Sequence, residues 1–264
     1  MEMILEAKDI SFSYGKGCAL DGLSLGIEQG SLVCLMGRNG SGKTTLLDCL
    51  MGALVPSRGC VELLGRPVGK YRRHEIARHI SYLPQIHGIT FPYTVREMVM
   101  LGRMAYASAF GSPRQEDEEA CDEAMQKAGV YEFRDQAYSS LSGGEIRLVL
   151  LARALCQRSE IILMDEPTVY LDFRNEMLFL QRVAELTAEG RATVVMATHS
   201  PNHAFYFESR GLSVQAALLD KGKLVALGAP SEVITADSAA RFFGVEAEIA
   251  AAGGVRNLVV KNPL

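Results

Sequence analysis

The chain has 264 residues, 48% hydrophobic and 22% charged, a balance that supports a sizeable buried core. Its net charge of −4 at pH 7 provides no overall field for nucleic acid, which is therefore not expected as a partner. The start, MEMILEAKDISFSYG, lacks the pattern of a signal peptide, and no apolar run approaches the ~18–20 residues that cross a bilayer.

If the protein acts at a membrane, another chain must do the crossing. Six cysteines, at 18, 34, 49, 60, 121 and 156, form no CxxC pair, and several sit in apolar runs such as SLVCLMG and LLDCLMG. That usage predicts small buried hydrophobes in a reducing compartment, not a disulfide framework.

In chain order, the first thirty residues alternate apolar with polar (Leu23, Leu25, Ile27) and read as strands. SLVCLMG is a continuous apolar run ending in glycine, the pattern of a strand buried on both faces. Helical spacing runs from Lys43 to about Leu54. GCVELLG reads as a strand, and RRHEIARHI as a short helix leading into ISYLPQ. From about 94 to 157 the period is helical, interrupted by GSPR and YSSLSGG. EIILMDEP and RATVVMATHS read as strands around a helix over about 173–189, and AALLDKGKLVALG as a hairpin turning at Lys221-Gly222. The tail after Gly228 is too short for a further domain with its own core. Alternating strands and helices, split by a helical block, predict an α/β core with a helical insertion. The expected organisation is one domain over 1–264, its core about 1–85 and 158–264, its helical subdomain about 86–157.

GRNGSGKT, residues 37–44, fits G-x-x-x-x-G-K-[ST] between an expected strand and an expected helix. Gly37, Gly40 and Gly42 permit backbone conformations that turn N–H groups onto phosphate oxygens at the positive end of the helix, with Asn39 and Ser41 completing the loop. Lys43 adds a charge for the β- and γ-phosphates, Thr44 a hydroxyl for Mg²⁺, and Thr45 a hydrogen bond to phosphate. Such a loop needs a carboxylate to help hold the metal, and EIILMDEP supplies Asp165 at a strand end. Glu166 follows. Neighbouring strand residues point opposite ways, so Asp165 can hold Mg²⁺ through water while Glu166 orients and deprotonates an attacking water.

A second glycine turn, LSGGE at 141–145, precedes the apolar helix IRLVLLARAL. Ser142 and Glu145 fit a capping box. Two glycines in a first helical turn each cost ~1 kcal/mol relative to alanine, and a cap does not require them. Ser142, Gly143 and Gly144 therefore read as a second anion site, closing either over this chain's own nucleotide or over that of another copy.

The order GRNGSGKT, LPQ (83–85), LSGGE, ILMDEP, LD (171–172) and TH (198–199) resembles the ATP-binding subunits of ABC transporters over roughly residues 5–230. The resemblance implies an α/β P-loop NTPase core of the RecA type, with an N-terminal antiparallel β subdomain and an inserted α-helical subdomain. It implies ATP and Mg²⁺ as ligands, and a head-to-tail homodimer in which LSGGE of one copy closes over the γ-phosphate held by the other. Tyr14 resembles the aromatic that stacks on adenine, Gln85 the glutamine that contacts Mg²⁺ and the attacking water, His199 the histidine on the γ-phosphate, and Asp172 the aspartate that communicates across the dimer. Glu145 replaces a frequent glutamine, Val169-Tyr170 replaces smaller residues, and Ser200 stands where aspartate is common. Pro201 between His199 and His203 argues against a metal-binding helix face.

FPYTVREMVMLGRMAY, PSRGCVELLGRPV and residues 199–204 resemble the importer branch for iron–siderophore, haem and cobalamin complexes. That branch implies a peripheral subunit at the cytoplasmic face of the cell membrane. It would bind a multi-span permease through the apolar face of residues 86–110, and through the permease, indirectly, a substrate-binding protein. An ABC ATPase of another transport system and a soluble assembly ATPase remain alternatives. A monomeric P-loop kinase would leave LSGGE unexplained.

Overall fold

The computed structural model describes residues 2–15, 17–85, 92–106, 112–190 and 192–264. Along the chain run β1 (Met3–Tyr14), β2 (Gly17–Glu28), β3 (Leu32–Met36), α1 (Lys43–Leu50), β4 (Arg58–Leu63), β5 (Arg66–Pro67), α2 (Arg73–His79), β6 (Ile80–Leu83), α3 (Val95–Met100), α4 (Gln115–Ala128) and α5 (Gly143–Cys156). There follow β7 (Ile161–Asp165), α6 (Phe173–Ala188), β8 (Thr193–Thr198), α7 (Pro201–Ser209), β9 (Val214–Asp220), β10 (Lys223–Gly228), α8 (Pro230–Val233), α9 (Ala236–Ser238), β11 (Val245–Ala252) and β12 (Val255–Pro263). Two compact units divide the chain, Met1–Tyr71 with Thr187–Leu264, and Arg72–Leu186.

In the first unit β2-β1-β4-β5 form an antiparallel sheet, with Leu5 opposite both Ile27 and Leu63. The expected alternation appears as Leu23, Leu25 and Ile27 buried on one face. Strand β3 lies between β8 and β9 and parallel to both, Leu35 pairing with Ala197 and with Ala217. Parallel neighbours on both sides bury all five of its residues, as its unbroken apolar run requires. Strand β10 adds antiparallel through a turn at Lys221 (φ 47°) and Gly222 (φ 79°), the paired left-handed residues of a tight hairpin. Helix α1 stops at Leu50, short of the expected Leu54, because the chain turns through Gly52 at φ 71°.

The tail holds a hairpin that the sequence reading did not anticipate. Strands β11 and β12 pair through Gly253-Gly254, both at positive φ, and Asn202 of α7 bonds the main chain of Leu258. The Gly-Gly signal was present, but AEIAAA hides the alternation because alanine is weakly apolar.

The second unit holds β6 and β7 as a parallel pair, Leu83 opposite Met164, together with the whole helical stretch. The sequence reading placed those two strands with the α/β core. Helices α3, α4 and α5 share a core of Val95, Met98, Cys121, Met125, Val149 and Cys156. Arg96 of α3 pairs with Glu118 and Asp122 of α4, and Arg103 with Asp117 at 2.7 Å. Four of the six free cysteines are buried, and burial pushes the Cys49 thiol up to about 11, so it packs as a hydrophobe. Among the described residues no helix is long and apolar enough to cross a membrane.

Candidate functional site

The first unit builds the first glycine loop. Past Met36 the chain turns at Gly37, where a Cβ would lie 2.3 Å from the Leu219 carbonyl oxygen. At Gly42, φ is 105° and a Cβ would lie 2.6 Å from the Ala19 carbonyl oxygen. Both positions exclude any side chain, because β9 and β2 pass directly behind the loop. The Lys43 ammonium donates to the Gly37 carbonyl at 2.9 Å and the Arg38 carbonyl at 3.3 Å, so its chain arches over the loop. The Gly222 N–H donates to the Ser41 carbonyl at 3.0 Å and anchors the loop to the β9–β10 turn.

Helix α1 begins at Lys43 with no side-chain cap from Gly42. First-turn N–H groups have no acceptor within their own helix, and the helix dipole makes that end positive. Arg38, Asn39, Gly40 and Thr44 are exposed, whereas Ser41, Lys43 and Thr45 are buried. The Ser41 hydroxyl is buried without a hydrogen-bond partner among the described residues. A buried orphan hydroxyl, an uncapped helix start and a lysine over the loop fit a phosphate chain, and the exposed Thr44 hydroxyl fits a cation beside it.

Two further residues singled out from sequence lie in this unit. Tyr14 ends β1, is 58% exposed, and meets Phe12 edge-on at 5.0 Å. His199 directly follows β8 and is exposed. Its turn is braced by Thr198, whose hydroxyl bonds the buried His203 ring at 2.7 Å and accepts from the Ser200 N–H at 3.1 Å. No cluster of three or more His, Cys, Asp or Glu is set for a metal among the described residues.

The second unit holds the carboxylates. Asp165 is the last residue of β7 and only 3% exposed. Glu166 lies beyond the strand at φ 47°, a left-handed conformation that costs a non-glycine residue ~1–3 kcal/mol. The two carboxylates therefore diverge through a change of backbone region, not through strand pleating alone. The Gln85 side-chain amide donates to Glu166 Oε2 at 2.7 Å. Downstream, Tyr170 is left-handed at φ 68° and 86% exposed. Asp172 then starts α6 by accepting the Asn175 N–H at 2.8 Å, while its second oxygen accepts the Asn175 amide at 3.0 Å.

Ser142 and Glu145 form the expected capping box. Glu145 Oε2 accepts the Ser142 N–H at 2.8 Å and the Ser142 hydroxyl at 2.7 Å. Those bonds hold the Glu145 carboxyl below the usual carboxylate range. The two glycines of this turn do not share one reason. Gly144 is buried, and a Cβ there would lie 2.4 Å from the Asn175 carboxamide, so packing within the chain already demands this glycine. Gly143 has nothing within 4 Å of a Cβ and remains without such a reason.

Within this unit Gln85 and Glu166 are bonded directly, and Ser142, Gly143 and Gly144 sit together at the head of α5. Sequence reasoning missed Asn175 and Arg147. A cation inside the apolar run IRLVLLARAL, which also carries Arg153, was the available signal for Arg147, which is 8% exposed and bonds main-chain carbonyls at Pro84 and Gln85. Of the expected permease socket at 86–110, residues 86–91 and 107–110 lie outside the described residues.

Residues 20–169 match the family model described as ABC transporter. The ferric enterobactin transport ATP-binding protein FepC of Escherichia coli is 34% identical over 93% of this chain and 89% of its own length. The hemin import ATP-binding protein HmuV of Thermobifida fusca is 36% identical over 94% and 84%. A metal-chelate type ABC transporter solved in an inward-facing conformation superposes with a TM-score of 0.84 at 27% identity, covering 99% of this chain and 98% of that one. The dimeric ATP-binding cassette MJ0796, in a post-hydrolysis state with ADP and Pi, gives a TM-score of 0.72 at 26% identity, covering 86% and 98%. With both glycine loops, the DE pair and the mixed sheet in their expected elements, the chain belongs to the ABC transporter ATP-binding subunits, ATPases that couple ATP hydrolysis to transport.

Proposed function

We propose that this chain is the ATPase subunit of an importer that takes up a metal chelate of the iron–siderophore, haem or cobalamin type through a separate multi-span permease. The observation that carries this reading is similarity, at 27–36% identity, to the FepC and HmuV proteins and to the metal-chelate transporter over nearly the whole chain. The last of these matches 99% of the chain, which leaves no room for the β11–β12 hairpin to be unmatched. In this reading the subunit is peripheral, at the cytoplasmic face of the membrane, and its helical subdomain, about 86–157, meets the permease. A substrate-binding protein delivers cargo from the other side.

Each residue then has a role. Tyr14 offers an exposed ring for adenine stacking. The N–H groups of Gly37–Thr45 and the Lys43 ammonium bind the phosphates, with Ser41 and Thr45 adding hydroxyls. Thr44, Gln85 and Asp165 would hold Mg²⁺, which when bound offsets charge on the β- and γ-phosphates. Glu166 accepts the proton of the attacking water, and His199 contacts the γ-phosphate. Ser142, Gly143 and Gly144 serve the nucleotide of the twin chain, so that two copies enclose two ATP molecules.

The decisive experiment is Glu166→Gln. Removing a general base lowers turnover by ~10²–10⁴-fold while ATP binding persists, and the variant should accumulate as an ATP-bound dimer in size-exclusion chromatography. Near-normal hydrolysis by this variant removes Glu166 from the base role. Membrane pull-down of wild type tests the transport assignment. A co-purifying multi-span permease with iron-chelate-dependent uptake supports it, a permease for another cargo relocates the system, and a soluble partner alone replaces it with an assembly ATPase.

A further inference from the structure

Arg147 is a buried guanidinium on a helix whose neighbouring positions, Val149, Leu150 and Leu151, are core. Burying such a group is costly unless its donors are used. One donor reaches the Pro84 carbonyl at 2.9 Å and another the Gln85 carbonyl. The fork thus grips two consecutive main-chain carbonyls just past β6, a geometry that suits arginine's planar, pre-organised donors. The gripped residue is the one whose side-chain amide bonds Glu166 Oε2 at 2.7 Å. At its other end, Arg147 sits one turn along α5 from Gly143, directly behind the Ser142–Gly144 turn. A continuous series of bonds therefore joins that turn to Glu166: helix α5, Arg147, the Gln85 main chain, and the Gln85 amide.

An open cleft of about 260 Å³ lies alongside, its lining including Gln85, Gly143, Arg147, Leu150 and the exposed Tyr170. Gln85 therefore borders open space on one side, where its main chain can shift without displacing packed side chains.

We infer that Arg147 is a positioning residue, which sets the Gln85 main chain so that the Gln85 amide meets Glu166 and which carries displacement of the Ser142–Gly144 turn to that carboxylate. The inference rests on the reading of Glu166 as the base.

The test is ATP hydrolysis by the purified full chain as wild type, Arg147→Leu, Arg147→Lys, Gln85→Ala and the Arg147→Leu/Gln85→Ala double variant, with a melting curve for each. Arg147→Leu should lower kcat about tenfold or more with KM for ATP within about twofold, the signature of lost transition-state positioning. Arg147→Lys, which keeps the charge but not the fork, should recover part of that loss. In the Gln85→Ala background the same Arg147→Leu change should cost less than about twofold, because residues acting in series are not additive. A role confined to packing would instead multiply the two losses. Wild-type kcat in Arg147→Leu, or full additivity, overturns the inference. If Arg147→Leu does not fold, the Arg147→Lys/Gln85→Ala pair runs the same cycle. Should Glu166→Gln itself hydrolyse ATP normally, the base reading falls and this inference with it, whereas an inactive Glu166→Gln beside wild-type Arg147 variants sinks the inference alone.

Discussion

The two glycine loops stand at helix starts and look alike in sequence, yet they are built on opposite plans. At Gly37–Thr45 the glycines serve conformation and clearance. Gly37 and Gly42 press against β9 and β2 at positive φ, Gly42 supplies no side-chain cap to α1, and the Ser41 hydroxyl has no partner among the described residues. At Ser142–Glu145 the helix start is already satisfied by Ser142 and by a carboxylate of its own. One of its glycines is fixed by Asn175, and only Gly143 faces open space. The first loop is therefore a cradle shaped entirely by its own chain. The second is a finished helix cap with one surplus glycine, and its use is legible only if something outside the chain approaches it.

The largest effect should come from breaking the first plan. Gly42→Ala places a methyl group 2.6 Å from the Ala19 carbonyl oxygen at φ 105°. Backbone strain of ~1–2 kcal/mol and overpacking of ~1–3 kcal/mol both fall on the loop. Nucleotide affinity should drop by ~10²-fold or more, read by titration with a fluorescent ATP analogue. Binding within about threefold of wild type would mean that the loop relaxes freely and is not preshaped.

The second plan predicts a split between its two glycines. Gly144→Ala drives a Cβ to within 2.9 Å of the Asn175 Cβ as well as into its carboxamide, and should cost ~1–3 kcal/mol of stability. Asn175→Ala added to Gly144→Ala removes the carboxamide but leaves the Asn175 Cβ at 2.9 Å, and should recover part of that loss in thermal denaturation. Gly143→Ala meets nothing and should stabilise by ~0.4–1 kcal/mol. Any fall in ATP turnover in this stabilised variant must then arise from a contact outside the chain. Turnover equal to wild type in Gly143→Ala, and in a bulkier Gly143→Val, would count against a twin's phosphate approaching this turn.

These contrasts also mark what could be read from sequence. The first loop, the Asp165-Glu166 pair and the Ser142–Glu145 cap were legible because each takes its shape from a handful of adjacent residues. The buried strands β3 and β7 were legible for the same reason, since an unbroken apolar run already implies cover on both faces. Gly144 was misread because its reason, Asn175, lies on another helix. The Arg147–Gln85 bond spans 62 residues, and nothing local announces which carbonyls a buried arginine will find. The turn at Glu166 was misassigned to pleating because a strand's last residue cannot be fixed to one position from composition.

The smallest effect concerns the carboxylate that only the second loop carries. Ser142 bonds hold the Glu145 carboxyl below its ordinary range, so in the folded chain it stays charged to lower pH than in the unfolded chain. A depressed carboxyl contributes stability above its unfolded pKa and loses that contribution as pH falls through its folded value. Glu145→Gln keeps an acceptor for the Ser142 N–H and removes the titration. The wild type should therefore exceed Glu145→Gln in stability near pH 7 by under about 1 kcal/mol, since the pair is solvent-screened. The gap should close as pH falls through the carboxylate range, the folded chain holding its charge to lower pH than the unfolded one. The same substitution takes a negative charge away from the Ser142 hydroxyl, so ATP-driven pairing of two copies should tighten while the P-loop affinity of a single copy stays constant. Paired melting curves across that pH range, set beside dimerisation of both variants at pH 7, separate the two consequences. If Glu145→Gln loses dimerisation instead, the carboxylate works as a necessary part of the anion turn and not merely as its cap.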